Sequence, residues 1–243
     1  MKTKKYQPRF YRLFYSTKFF KLEVIVKESD LSVLTDKEIK KEYLRSLILK
    51  YRDQIESYIE ENNDFLTFLE PLRMDKKAAS IVQEMLVYSK LAGVGPMAAV
   101  AGAIAEYVGK ELLKQCSQVI IENGGDVFLK TEKDIRIGVY AGDSPLSNKI
   151  FINIKKSQTP IGICTSSGTV GHSLSFGKAD AVIISSSSAI LSDAVATAAA
   201  NLVKTNKDFK NAINFAKNVK GIKGILIILK NNLGVWGDLE ISS

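Results

Sequence analysis

The chain has 243 residues, of which 46% are hydrophobic and 25% charged, a length and balance that exclude a disordered tail and a minimal disulfide-stapled scaffold. Its net charge of +8 favours anionic partners. Apart from Lys2, Lys4, Lys5, Arg9 and Arg12 the basic residues are scattered, and no nucleic-acid motif accompanies them, so nucleic acid is not expected as a partner.

In chain order, residues 1–12 are basic but lead into no apolar run, which argues against a signal peptide. Residues 10–15 and 19–26 read as strands joined by a turn at Ser16-Thr17-Lys18, and residues 30–36 as a connector. Residues 37–61 carry Tyr43, Leu44, Leu47, Ile48, Tyr51, Ile55, Tyr58 and Ile59 in steps of three and four, which predicts a helix. Residues 66–72 read as a short extended stretch. Asp75 is placed to cap a helix with Ala78, Ile81, Val82, Met85 and Leu86 on its inner face. After Gly93-Val94-Gly95-Pro96 a second helix follows, rich in small residues, to about Leu113. The uncharged stretch 91–105 falls short of the roughly 20 apolar residues that span a bilayer, so no membrane span is expected.

Strands are predicted over 117–122, 127–131, 135–140, 149–154, 160–164 and 179–185. Helices are predicted over 191–203 and 209–219, and final strands over 225–229 and 233–239 with a turn near Asn231-Asn232. No linker or break in composition divides the chain, so residues 1–243 read as a single domain. The order of elements predicts an α+β fold, with helices packed on one face of a largely antiparallel sheet. Cys116 and Cys164 are the only cysteines and form no disulfide framework, so a reducing cytoplasm is the simpler setting.

Three segments could carry chemistry. Asn123-Gly124-Gly125-Asp126 lies between two apolar strands. It reads first as a tight hairpin turn, because such turns need positive φ at both central residues, although glycines there would also let a ligand meet the backbone. The stretch from Cys164 through Thr165, Ser166, Ser167, Gly168, Thr169, Val170 and Gly171 to His172 and Ser173 gathers hydroxyls, glycines, a thiol and the single histidine. Backbone N–H groups of such a loop can cradle an oxyanion, although a long polar hairpin has the same composition. In Ser192-Asp193-Ala194-Val195-Ala196-Thr197-Ala198, Asp193 and Thr197 are four apart on a helix, so their hard oxygens share a face and suit Mg²⁺. The plainer account is that Ser192 caps this helix and Asp193 favours its dipole.

Taken in this order, the three segments resemble the ApbE-like superfamily, and the whole chain is most similar to its uncharacterised-protein-family branch. That family carries an Asn-x-Gly-Gly-Asp-like turn after a strand, a later Thr-Ser-Gly segment and an Ala-Asp-Ala-x-Ala-Thr-Ala helix. The counterparts here are Asn123 to Asp126, Thr165 to Gly168 and Ser192 to Ala198, with Ala101-Gly102-Ala103 where the family usually has Lys-Gly. The resemblance implies a T-fold-like arrangement and binding of FAD, or a related nucleotide, together with Mg²⁺. It also implies transfer of FMN to a hydroxyl of an acceptor protein, and it leaves a homo-oligomer open. By the same resemblance Asp193, Thr197 and a backbone carbonyl at Ala101 are metal ligands, and Gly124, Gly125, Asp126, Thr165, Ser166, Ser167 and Gly168 hold the nucleotide. Two other functions stay open. One is sulfur or persulfide transfer with Cys164 as the catalytic thiol, assisted by His172. The other is flavin or nucleotide binding without catalysis.

Overall fold

The computed structural model describes residues 19–170 and 176–243. Alternation of side chains sets the layers. In strand β3 (Val119–Asn123), Val119 and Ile121 point to one side and Ile120 to the other, yet all three are buried. The sheet that contains β3 is therefore covered on both faces. It has eight antiparallel strands in the order β1-β2-β3-β4-β7-β8-β9-β10. The others are β1 (Phe20–Val26), β2 (Ser29–Thr35), β4 (Asp126–Lys130), β7 (Ile161–Ser166), β8 (Ala181–Ser186), β9 (Ile222–Leu229) and β10 (Asn232–Gly237).

Helices cover one face. They are α1 (Lys41–Glu61), α2 (Asp64–Thr67), α3 (Ser80–Ala92), α4 (Val100–Leu112), α5 (Ala189–Leu202) and α6 (Phe209–Asn218). Helix α1 buries Leu44, Leu47, Ile48, Tyr51 and Ile55, a single stripe at helical spacing. Helix α5 is different: its alanines and Val195 are buried almost all round, because it lies between the sheet and α3, α4 and α6. The opposite face is closed by a second sheet, β11-β6-β5, built from β5 (Ile135–Gly138), β6 (Phe151–Ile154) and β11 (Glu240–Ser242). Ile152, Ile154, Ile120, Leu129, Ile163 and Ile183 form the core between the two sheets.

The α+β reading holds, and the helices do sit on one face; the second sheet on the other face is what the sequence reading lacked. Of the expected connector over 30–36, all but Asp36 belongs to β2, which pairs with β1 through a turn at Lys27-Glu28. Ser29, Asp30, Ser32 and Thr35 hid the strand, but Leu31 and Val33 alternate inward between them. Of the stretch expected as extended over 66–72, Leu66 and Thr67 instead close the one-turn helix α2, and the rest lies in irregular structure. Asp75 does not cap α3, which starts at Ser80; its carboxylate instead accepts from the Lys77 N–H (2.8 Å). The expected strand at 10–15 and its turn at 16–18 lie outside the described residues. Among the described residues no single helix is long and apolar enough to cross a bilayer; α3 and the segment from Pro96 to Leu112 reach that length only together, and they are bent by 102°.

Two glycines set how closely α5 can lie. A Cβ on Gly162 of β7 would stand 2.3 Å from Ala189 N and Cα, and a Cβ on Gly102 of α4 would stand 2.4 Å from Ala189 O. Both contacts are with backbone, which has no rotamer to yield. Gly138 of β5, by contrast, would place a Cβ 3.6 Å from Phe151, an ordinary contact. Gly162→Ala is therefore expected to cost about 2–3 kcal/mol of unfolding free energy, the upper range for overpacking, whereas Gly138→Ala stays within about 1 kcal/mol. Urea denaturation of the two variants measures the difference.

Candidate functional site

The hairpin between β3 and β4 turns on Gly124 and Gly125, whose φ values of +71° and +105° are open to glycine at little cost. Its closing pair is Asn123 and Asp126. Asp126 lies beside Cys164 of β7 in the next cross-strand pair, on the face that carries the helices. Above them lies α5, bringing Asp193. The Gly102 N–H donates to Asp193 Oδ2 (2.9 Å), and Ala101 adds a backbone hydrogen bond. Asp193 thus caps the first turn of α4 from a different helix. The Ala101 carbonyl accepts from Asn123 Nδ2 (3.1 Å).

Asp126 and Asp193 form a buried acid pair. Both are buried, at 6% and 9% exposure. Burial pushes the Asp193 carboxyl up to about 7 although the amides of Gly102 and Ala101 pull it down. Burial, and then the charge of Asp193, drive the Asp126 carboxyl well above the ordinary carboxylate range; the Cys164 thiol and the Thr165 amide only partly offset this. Asp126 Oδ1 has no hydrogen-bond partner. An unpartnered oxygen on a buried acid costs about 1–3 kcal/mol and marks a place where a proton or a cation would be held.

Cys164 does not suit the nucleophilic role. Its side chain is fully buried and its thiol donates to the Ala189 carbonyl (3.2 Å). Burial, then the charges of Asp126 and Asp193, push the thiol well above its usual range, so it stays neutral. Persulfide transfer needs an exposed thiolate, and that reading is set aside. His172 lies outside the described residues.

The polar stretch after β7 divides. Thr165 packs beside Gly125, with its Cβ about 3.8 Å from where a Gly125 Cβ would sit. Ser166 is half-buried. Ser167 Oγ accepts from the N–H groups of Thr169 (3.1 Å) and Val170 (2.9 Å), a local turn. Gly168 is pressed against Gly177, and its N–H donates to Ala179 O (2.9 Å). Thr197 is half-buried, one turn after Asp193 on the same helix. Among the described residues, no three His, Cys, Asp or Glu side chains come together as a metal site. Any cation here would rest on two carboxylates, a hydroxyl and a carbonyl, all hard oxygens of the kind Mg²⁺ takes. A concavity of about 280 Å³, lined by Arg136, Asn153, Lys155 and Glu240 among others, lies on the second sheet and shares no residue with the acid pair.

A family model described as AbpE bacteria matches residues 12–234. A UPF0280 protein of Methanocaldococcus jannaschii is 42% identical over 185 residues, 75% of either chain. One from Methanococcus aeolicus is 41% identical over 182 residues, 74% of this chain and 73% of that one. The chain belongs to the UPF0280 family within the ApbE-like superfamily. Among solved structures it is similar to the apo form of the flavinyl transferase ApbE of Pseudomonas stutzeri (TM-score 0.61, 12% identity, 92% of this chain and 95% of that one). It is also similar to the flavin transferase ApbE of Vibrio cholerae (TM-score 0.60, 11% identity, 90% and 96%). At these identities the likeness is one of fold.

Of the residues the ApbE-like resemblance assigns, the structure brings Ala101, Gly125, Asp126, Thr165 and Asp193 close together, with Cys164 of the persulfide reading beside Asp126, whereas Ser167 and Gly168 are engaged in their own loop. The plainer account of that helix makes Ser192 its cap, a role that falls to Ser188, whose Oγ accepts from the Leu191 N–H. Ser192 is already inside α5 and bonds Gly162 O (3.1 Å) and Ser186 Oγ (2.9 Å). Asn123 and Glu106 went unrecognised. Asn123 opens the turn segment without any sign that its side chain would bond the Ala101 carbonyl, and Glu106 sits in an alanine-rich run with nothing local to mark it.

The acid pair predicts a pH dependence. Between the unfolded value of Asp193 near 3.8 and its folded value of about 7, the folded chain holds a proton that the unfolded chain has released. Stability of the metal-free protein is therefore greatest at the acid side of this window and falls as pH rises through it. Thermal melts from pH 5 to 8 in chelator are expected to show that fall, and Asp193→Asn or Asp126→Asn to flatten it.

Proposed function

We propose that the acid pair and the double-glycine turn form a binding site for FAD or a related nucleotide with a divalent cation, and that the protein transfers FMN to a hydroxyl of an acceptor protein. The observation that carries this reading is the buried, unpartnered Oδ1 of Asp126 beside the carboxylate of Asp193. Two buried acids with one oxygen unmet fit a cation: it removes their repulsion and fills the empty position.

In this reading Asp193, with Asp126 beside it, holds Mg²⁺, together with the Thr197 hydroxyl and the Ala101 carbonyl. The bound cation would neutralise the charge of a pyrophosphate. The chain itself does the rest. Asn123 fixes the direction of the Ala101 carbonyl through its amide N–H. Gly124 and Gly125 carry no side chain, so a phosphate could approach the turn closely. Thr165, beside that turn, offers a hydroxyl and Ser166 a second one at the strand end. The names of the similar solved structures, flavin and flavinyl transferases, support the choice of flavin as the nucleotide.

A second reading, binding without turnover, draws support from the Asp193–Gly102 bond, which gives that carboxylate a structural task whether or not chemistry occurs. The experiment is incubation of the protein with FAD, Mg²⁺ and a threonine-bearing acceptor, following FMN transfer and AMP release. The transferase reading expects Mg²⁺-dependent product, reduced at least about 100-fold in Asp193→Ala, in line with loss of an electrostatic group at a phosphoryl centre. A flavin-induced rise in melting temperature without product would leave binding alone. FAD affinity unchanged by Asp193→Ala would remove the metal assignment.

A further inference from the structure

Asp193 caps α4 from α5, and the reverse contact also exists. Glu106 stands one turn after Gly102 on α4, so both face α5. Its carboxylate is almost fully buried (3% exposed). Oε2 accepts from Ser188 Oγ (2.8 Å) and from the Ile190 N–H (3.2 Å), the cap residue and the second residue of α5. Lys110 Nζ meets Oε1 at 2.8 Å. The two helices are thus tied by two rungs one turn apart, running antiparallel: Gly102 to Asp193, and Glu106 to Ser188 and Ile190.

We infer that Glu106 is a positioning residue for the acid pair: by holding the first turn of α5 it sets where Asp193 stands over Asp126 and Gly102. The inference rests on the reading of that pair as a cation and nucleotide site, and its geometry can be tested apart from it. Ala189 has backbone-to-Cβ clearance on neither side, with Gly102 against one flank and Gly162 against the other. A shift of the first turn is therefore passed along the rigid helix to Asp193, one turn away. The charge of Glu106 is matched by Lys110 and by the helix N-terminus, so it does not add to the repulsion within the acid pair. Its carboxylate touches neither Asp126 nor Asp193 in any contact the structure shows, so its effect on them passes through α5.

The test compares Glu106→Gln, which keeps an oxygen able to accept from Ser188 and Ile190, with Glu106→Ala, which does not. The readout is the Gly102 amide proton, which Glu106 does not contact and which reports the bond to Asp193. In metal-free protein at low temperature, Glu106→Ala is expected to raise Gly102 amide exchange at least about tenfold relative to Val108 and Leu112 of the same helix, the scale of one lost hydrogen bond. Glu106→Gln is expected to stay within about threefold of the parent. If both variants only lower the melting temperature and Gly102 keeps its relative protection, Glu106 is a helix cap and the inference falls. A second arm titrates Mg²⁺ by melting-temperature shift. Weaker Mg²⁺ response in Glu106→Ala, restored in Glu106→Gln, supports the role at the site. If the parent protein shows no Mg²⁺ response, the cation reading fails, while the Gly102 result still decides the positioning claim.

Discussion

The structure depends on one close approach: the first turn of α5 lies with its backbone against a glycine on either side. Gly162 brings β7 to Ala189 from below, and Gly102 brings α4 to it from the flank. A helix normally stands off a sheet by the thickness of its side chains. Here two side chains are missing where α5 begins, so the helix sinks toward the strands. That descent puts Asp193 within the charge field of Asp126 and within reach of the α4 amides. Ser186, Ser188 and Ser192 meet the backbone and hydroxyl groups that the descent buries, which is why these serines, ordinarily surface residues, are interior here while Ser187 between them is exposed.

Such an arrangement carries a concentration of buried acid that a purely structural fold would avoid. Glu106, Asp126 and Asp193 all lie on the helix side of the large sheet with little exposure. Two of them are matched by direct partners: Glu106 by Lys110 and a helix N-terminus, Asp193 by the N-terminus of α4. Asp126 is the exception. The Thr165 amide bonds it, the neighbouring Cys164 thiol gives its proton to the Ala189 carbonyl, and one of its oxygens has no hydrogen-bond partner. Because a buried charge without a partner is costly, this imbalance, rather than the mere presence of acids, singles out the site.

Much of this was legible in the sequence. Gly124 and Gly125 between apolar strands predict a hairpin with positive φ, because few other pairs accept it, and the hairpin is there. The alanine-rich runs announce tight helix packing. The Asp193–Thr197 spacing puts both on one helix face whatever surrounds them. What could not be read was anything set by a partner far along the chain. Glu106 meets Ser188 across 82 positions and Asp193 meets Gly102 across 91; no local pattern encodes either. The same reason misassigned the cap of α5. Ser188 and Ser192 are both plausible by type, and the choice falls to Ser188 because Gly162 and Ser186 claim the Ser192 hydroxyl. Access to Cys164 was equally out of reach of a local pattern: a strand end beside hydroxyls leaves both exposure and burial open, and it is α5 that covers the thiol.

The double duty of Asp193 has a consequence for how binding and folding are linked. Capping α4 uses Oδ2 and favours the ionised carboxylate, because amide N–H groups bond more strongly to a charge. Burial opposes ionisation and in the metal-free protein holds the group near neutrality. A cation at the pair would remove that opposition, so it would strengthen the cap rather than compete with it. The bond from Gly102, the seating of α5 and the charge state of Asp126 would then all tighten together. A cation bound only by the folded, ionised pair would stabilise the whole α4–α5 joint by mass action, so on the proposed reading these helices would be firmest with the cation bound.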